Sequence, residues 1–408
     1  LYTAPTDPRL AADLQEARQR AEAFTAYQGK LDGLSGAELA EAIRAYEALQ
    51  EIPGRIMSYA GLLFAADSSV AAHGQFYQTM SETLTALGTK TLFFTLELNR
   101  LSDESLAEKL RAPELQRYES WLRDLRVFLP HQREDVIEQL FMEKEVTGHS
   151  AWTRLFDETI AALRLEVRGE ALTLSAALNK LSDTDRAVRE DAFKAVAKTM
   201  AQNEKLFALV LNTIAKDKAI DDEWHAYPHP WSFRNRANMV EDEVVEALVG
   251  AVKSSYGRLS HRYYALKAKW LGLEKLEQWD RNAPLPADLD KHISWQQARD
   301  IVLNAYGGFS PELAETIKPF FEKNWIDADL RPGKAGGAFS HSTVPSVHPY
   351  VLMNFHGKAR DVMTLAHELG HGAHQSLAAK QGYLLAGTPL TLAETASVFG
   401  EMLTFRSL

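Results

Sequence analysis

Apolar residues recur at three- and four-residue spacing through residues about 8–29, 37–66 and 71–100, and this rhythm confines the first half of the chain to a mainly α fold. Breaks fall at Gly33-Leu34-Ser35-Gly36, at Asp67-Ser68-Ser69 and at Ser102-Asp103. Further helices are expected over about 113–126, 132–147 and 150–162. Around Gly169 the segment Leu163 to Leu174 alternates apolar and polar, the pattern of a small hairpin. We place a lobe boundary just after it, giving a helical N-terminal lobe over 1–178 and a second domain over 179–408.

Long helices are expected again over about 184–220 and 241–270, joined by the loop Trp224-His225-Ala226-Tyr227-Pro228-His229-Pro230-Trp231. The texture changes at Arg331. Pro332 to Phe339 is glycine-rich, Tyr350 to Phe355 reads as a short strand, and a helix is expected from about Lys358 to Lys380. A last helix starts near Pro389 and still runs at Phe405. It lacks a Gly or Asn C-cap, which reads as a truncation.

With 45 Lys and Arg against 55 Asp and Glu the net charge is -10, which disfavours nucleic acid and anionic membranes as partners. No apolar run reaches the length of a membrane span. Cysteine is absent, which removes disulfides, thiolate metal sites and a cysteine nucleophile and suits a cytoplasmic location.

The chemistry centres on His367-Glu368-Leu369-Gly370-His371. Four helical residues turn about 400° and rise about 6 Å, so His367 and His371 share a face and can converge on one metal ion. Glu368 lies about 60° from His371, where a base acting on a water beside the metal belongs. The pattern is expected by chance about 0.05 times in such a composition. Val362, Ala366, Leu369, Ala373 and Leu377 supply the core-facing stripe that such a helix needs.

His374 shares that face, but three ligands strung along one straight helix cannot close on a tetrahedral ion, so it is assigned a supporting place near the site. Glu394, in the next helix, is the better third ligand if the chain returns antiparallel. Glu401 is one or two turns further along; holding a ligand imidazole in its tautomer and being a solvated glutamate are equally good readings of it. Gly370 and Gly372 weaken a helix interior by about 1 kcal/mol each and suggest close packing of another element.

The combination of Gly336-Gly337-Ala338-Phe339, Tyr350 to Phe355, Thr364 to His374 and Leu392-Ala393-Glu394-Thr395-Ala396-Ser397 resembles the oligoendopeptidase F group of the thimet-oligopeptidase-like (M3) family of zinc metallopeptidases. The resemblance is densest from about 331 to 408. It implies one zinc on His367, His371 and Glu394, with Glu368 as general base. It further implies a two-lobed, zincin-type helical shell with a small sheet beside the active-site helix and a substrate channel between the lobes. Members of this family continue beyond the third-ligand helix into a loop that contacts substrate. The chain alone is therefore expected to lack useful activity, and a separate C-terminal fragment is an expected partner.

The resulting expectation is a zinc endopeptidase acting on short peptides. Gly337, Ala338, Phe339 and Tyr350 are candidates to bind the peptide main chain, although ordinary sheet pairing serves the 350–355 strand equally well. A helical zinc metallocarboxypeptidase and a non-catalytic peptide-binding scaffold are the alternatives.

Overall fold

The computed structural model describes residues 1–285 and 292–407. Three long helices, Pro8–Phe24, Gly36–Ala66 and Ala71–Arg100, build the N-terminal block. Each begins or ends where the sequence interrupts its rhythm; Ser35 and Glu38 form a reciprocal cap that starts the second. Their apolar faces meet in one core that includes Phe24, Leu39, Ile43, Ile56, Phe94 and Leu98 and extends to Tyr118 and Leu122.

The hairpin forms as β1 (Leu165–Val167) and β2 (Glu170–Leu172), antiparallel, with Leu165 opposite Leu172. Arg168 and Gly169 both have positive φ, the backbone of a tight two-residue turn. Leu165 and Val167 pack with Ala177, Ala192 and Ala195 into a small cluster of their own. The boundary expected at 178 falls inside the helix Leu174–Lys180, and this cluster spans it.

The two helices expected after it are each divided. Arg186–Gln202 gives way to Glu204–Trp224 at Asn203, and Asp242–Ser255 gives way to Ser260–Trp270. From Leu209 to Trp270 these helices leave many large apolar side chains exposed, Leu211, Leu248 and Leu259 among them.

Trp295–Phe309 and Pro311–Glu322, where no helix is expected from the sequence, form a helical pair packed beneath the motif helix. A three-stranded sheet follows from β3 (Ile326–Asp327), β4 (Phe339–His341) and β5 (Tyr350–Leu352), in the order β3-β5-β4. β5 pairs parallel with β3 and antiparallel with β4, setting Ser340 opposite Val351.

The motif helix runs Ala359–Ala378 and the closing helix Leu390–Phe405. The motif helix buries Val362, Leu365, Ala366, Leu369 and Ala373 in a core shared with Val302, Tyr306, Ile317 and Phe320. Leu377, expected on the buried stripe, is exposed, because the stripe runs off the core into an open groove. The closing helix ends at Phe405 with Arg406 still in helical geometry, and Leu408 lies outside the described residues.

The helix Gly36–Ala66 touches the second half of the chain along much of its length. Glu47 accepts from the Leu384 N–H and Glu51 from the Ser346 N–H. In its last turn Ala65 accepts from the Ala335 N–H, and just beyond its end the Ser68 N–H donates to the Gly333 carbonyl.

Candidate active site

The motif helix and the closing helix cross closely. A Cβ on Gly370 would stand 2.5 Å from the Ala396 carbonyl oxygen, and one on Gly372 would stand 2.7 Å from the Phe320 ring. Gly400 answers from the other helix, where a Cβ would lie 1.8 Å from the Tyr306 hydroxyl. That hydroxyl donates to the Ala366 carbonyl at 2.7 Å, one residue before the first motif histidine. Small residues thus let the helices approach, and Tyr306 locks their depth.

The approach brings Glu394 to the two histidines. Its Oε2 lies 3.2 Å from His367 Nε2 and 3.5 Å from His371 Nε2. Among the described residues, His367, His371 and Glu394 form the group of side chains able to share a metal ion, with one ligand atom from each within 4.8 Å of the others. The imidazole rings stand 83° apart with centroids at 5.0 Å, so their edges converge. Ligands about 2.0–2.2 Å from a tetrahedral ion are separated by about 3.3–3.6 Å. Two nitrogens and a carboxylate at 3.2 and 3.5 Å therefore fit a divalent ion of that kind.

Glu401 lies 3.3 Å from His367 Nδ1 through its Oε2, so the ring can donate to it and present Nε2 toward Glu394. His374 lines the groove behind the helix with Leu377, Leu385, Pro389 and Phe399, outside the ligand group. Burial lowers the His371 pKa, opposed by the Glu394 charge and reinforced by His367. The Ser397 hydroxyl and the nearby imidazoles hold the Glu394 carboxyl low, against the opposing effect of burial.

Glu368 is 6% exposed. Burial pushes its carboxyl up to about 7; His367 opposes the shift, Glu394 adds to it, and a hydrogen bond from the Ser340 backbone N–H opposes it. Ser340 sits on β4, and it is tied to the motif helix by exchange with Gln375: its hydroxyl lies 2.7 Å from Gln375 Oε1, and its carbonyl accepts from Gln375 Nε2 at 3.1 Å. Nothing in the sequence pattern pointed to Ser340, Tyr306 or Ser397. The short, irregular alternation around β4 hides the first, and the other two matter only through the helix crossing.

Of the candidate peptide-binding residues, Gly337 and Phe339 line a cavity of about 690 Å³ between the glycine-rich loop, the end of helix Gly36–Ala66 and residues 171–176. Ala338 packs toward the core beneath the motif helix. Gly337 has φ +75°, and its carbonyl accepts from Asn354 Nδ2. Tyr350 belongs to β5, the central strand, so its segment is engaged on both sides by ordinary sheet pairing; β4 is an edge strand. The outward main-chain groups of β4, the Ser340 N–H and carbonyl, are engaged by Glu368 and Gln375. Lys334 fixes the loop: its Nζ is fully buried and donates to the carbonyls of Asp327, Asp329 and Met353.

A mainly helical chain that sets two histidines and a carboxylate at metal-ligand spacing, with a buried acid beside them, defines the metallopeptidase-like class of helical folds. Residues 180–408 match the model of peptidase family M3, and residues 97–164 match that of oligopeptidase F. The chain belongs to peptidase family M3.

It is 28% identical over 415 residues to oligopeptidase PepF of Bacillus subtilis, an alignment covering 98% of this chain and 60% of the relative. It is 26% identical over 363 residues to the group B oligopeptidase PepB of Streptococcus agalactiae, covering 87% of this chain and 60% of that one. The chain thus spans about 60% of the length of these relatives. Its fold matches PZ peptidase A solved with an inhibitor, at a TM-score of 0.78 and 18% identity over 100% of this chain and 70% of that one. It also matches oligoendopeptidase-F from Enterococcus faecium, at 0.69 and 20% over 98% and 66%.

Proposed function

We propose that the protein is a zinc-dependent endopeptidase that hydrolyses peptide bonds in short oligopeptides. The observation that carries this reading is the convergence of His367 Nε2, His371 Nε2 and Glu394 Oε2 beside the buried Glu368, on a chain of peptidase family M3. In this reading His367, His371 and Glu394 hold the zinc. When bound, zinc supplies Lewis-acid polarisation of the scissile carbonyl and makes a water a stronger acid.

The chain's own residues do the rest. Glu368 takes a proton from the attacking water as its oxygen bonds to the carbonyl carbon, and gives that proton to the amide nitrogen as the C–N bond breaks. A carboxyl held near neutrality suits both transfers. The Ser340 N–H steadies Glu368, and Glu401 steadies His367. Gly337 and Phe339 line the cavity beside β4, where they can contact a bound peptide.

The same reading places the protein in the cytoplasm, which suits a chain without cysteine. Besides peptides, it takes a further segment of the same protein as a partner for the exposed face of the closing helix, where Val398, Met402 and Phe405 are uncovered.

Dialysed protein should retain one zinc per chain, and the enzyme containing this chain should cut an internal bond of a C-terminally amidated, quenched-fluorescent peptide. A metallocarboxypeptidase would leave the amidated peptide intact, and a scaffold would hold no stoichiometric zinc. Glu368→Gln should keep zinc and lose about 10²–10⁴-fold in turnover, since an amide cannot accept the proton. Loss of zinc from that variant would make Glu368 a ligand or structural partner instead.

A further inference from the structure

Two of the three ligand side chains are constrained by burial or by a partner across the helix crossing. His371 has a side chain 17% exposed, and His367 is held through Nδ1 by Glu401. Glu394 differs: its side chain is 55% exposed and has three rotatable bonds that water would leave free. Yet its Oε2 sits between the imidazoles.

The contact that accounts for this comes from Ser397, one turn along the same helix and so on the same face. Ser397 is wholly buried at the point where Gly370 meets the closing helix, its Cα 2.7 Å from where a Gly370 Cβ would stand. Its hydroxyl lies 2.7 Å from Glu394 Oε2 and 3.1 Å from the Glu394 carbonyl oxygen. The shorter contact is to the very oxygen that faces His367 and His371.

We propose that Ser397 is a positioning residue for the metal site: its buried hydroxyl donates to Glu394 Oε2 and keeps that carboxylate aimed at His367 and His371. The inference rests on the metal reading above. A competing account makes Ser397 an ordinary helix serine that bonds back to the carbonyl three residues earlier and serves packing alone. The two accounts differ in whether the effect of Ser397 passes through the Glu394 carboxylate.

Zinc affinity of the full chain, measured by chelator competition in the parent, Ser397→Ala, Glu394→Ala and the double variant, separates them. Ser397→Ala should weaken zinc by about 10- to 100-fold, as loss of a ligand's hydrogen-bond partner does elsewhere. In the Glu394→Ala background the same change should cost nothing further. The zinc-free Ser397→Ala protein should unfold with the parent. Parental zinc affinity in Ser397→Ala, or an equal loss on both backgrounds with a lowered zinc-free midpoint, overturns the proposal. A parent chain that holds no zinc after dialysis removes the metal reading itself, and this inference with it.

Discussion

The N-terminal block and the helices between 204 and 270 carry apolar residues at similar helical spacing, but they dispose of them differently. In the block, Ile43, Phe94 and Leu98 are at most 1% exposed. In the later helices Leu211 is 68%, Leu248 64% and Leu259 60% exposed. Around the later region polar anchors stand beside a few aromatic contacts such as Phe156 with Phe207. Arg186 and Arg189 converge on the fully buried Asp280, Lys267 donates to the Arg281 carbonyl, and Thr391 on the closing helix donates to the Asn238 carbonyl. Periodicity marks a face that needs cover; it does not say what covers it.

The sharpest way to break this contrast is Phe94→Ala. Removing a ring that touches Phe24 and Tyr46 inside the closed core should cost about 3–5 kcal/mol in denaturant unfolding. A loss below about 1 kcal/mol would mean that the block is as loosely covered as the later helices.

A smaller effect should follow acid. Burial pushes the Asp280 carboxyl up, but hydrogen bonds from Arg186, the Glu277 N–H and Arg189 outweigh it and bring it down to about 2. A depressed carboxyl stabilises the fold fully above its unfolded value of about 3.9, and the contribution fades as pH falls toward about 2. Amide exchange over 186–202 and 278–281 should therefore accelerate across that window ahead of the aromatic core around Phe94. Equal acceleration in both places would show that the anchorage is not what distinguishes them.

The smallest effect belongs to Leu248→Ser, which should move stability by no more than about 0.5 kcal/mol while reducing binding of an apolar dye. A cost above about 2 kcal/mol would show that this face is covered in solution.

The sequence made the motif helix legible because its chemistry and its periodicity coincide: the same helix that spaces His367 from His371 buries Val362, Ala366 and Leu369. Glu394 could be named because an antiparallel return is the short way back, and Gly370 announced a close crossing of the two helices. Trp295–Phe309 and Pro311–Glu322 were missed although Ser294 and Ser310 both cap them, since their apolar positions are interrupted by Gly307, Gly308 and Pro319. Asn203 and residues 256–259 divide helices without a proline, so the rhythm runs on through each break. The distance of Glu401 from His367 depends on the helix crossing, which the spacing along the chain does not carry.

The bonds from Ala335 to Ala65 and from Ser68 to Gly333 run between main-chain atoms. A seam of this kind is indifferent to most side chains, so substitutions can accumulate on either side of it through descent without parting the two halves. The exception is Gly333, at φ +82°, where any Cβ would strike the Asp67 carboxylate. Drift along the seam should stall there, and a library of variants across 65–68 and 331–337 would show Gly333 as an intolerant column, beside those of Gly337, also at positive φ, and the buried Lys334.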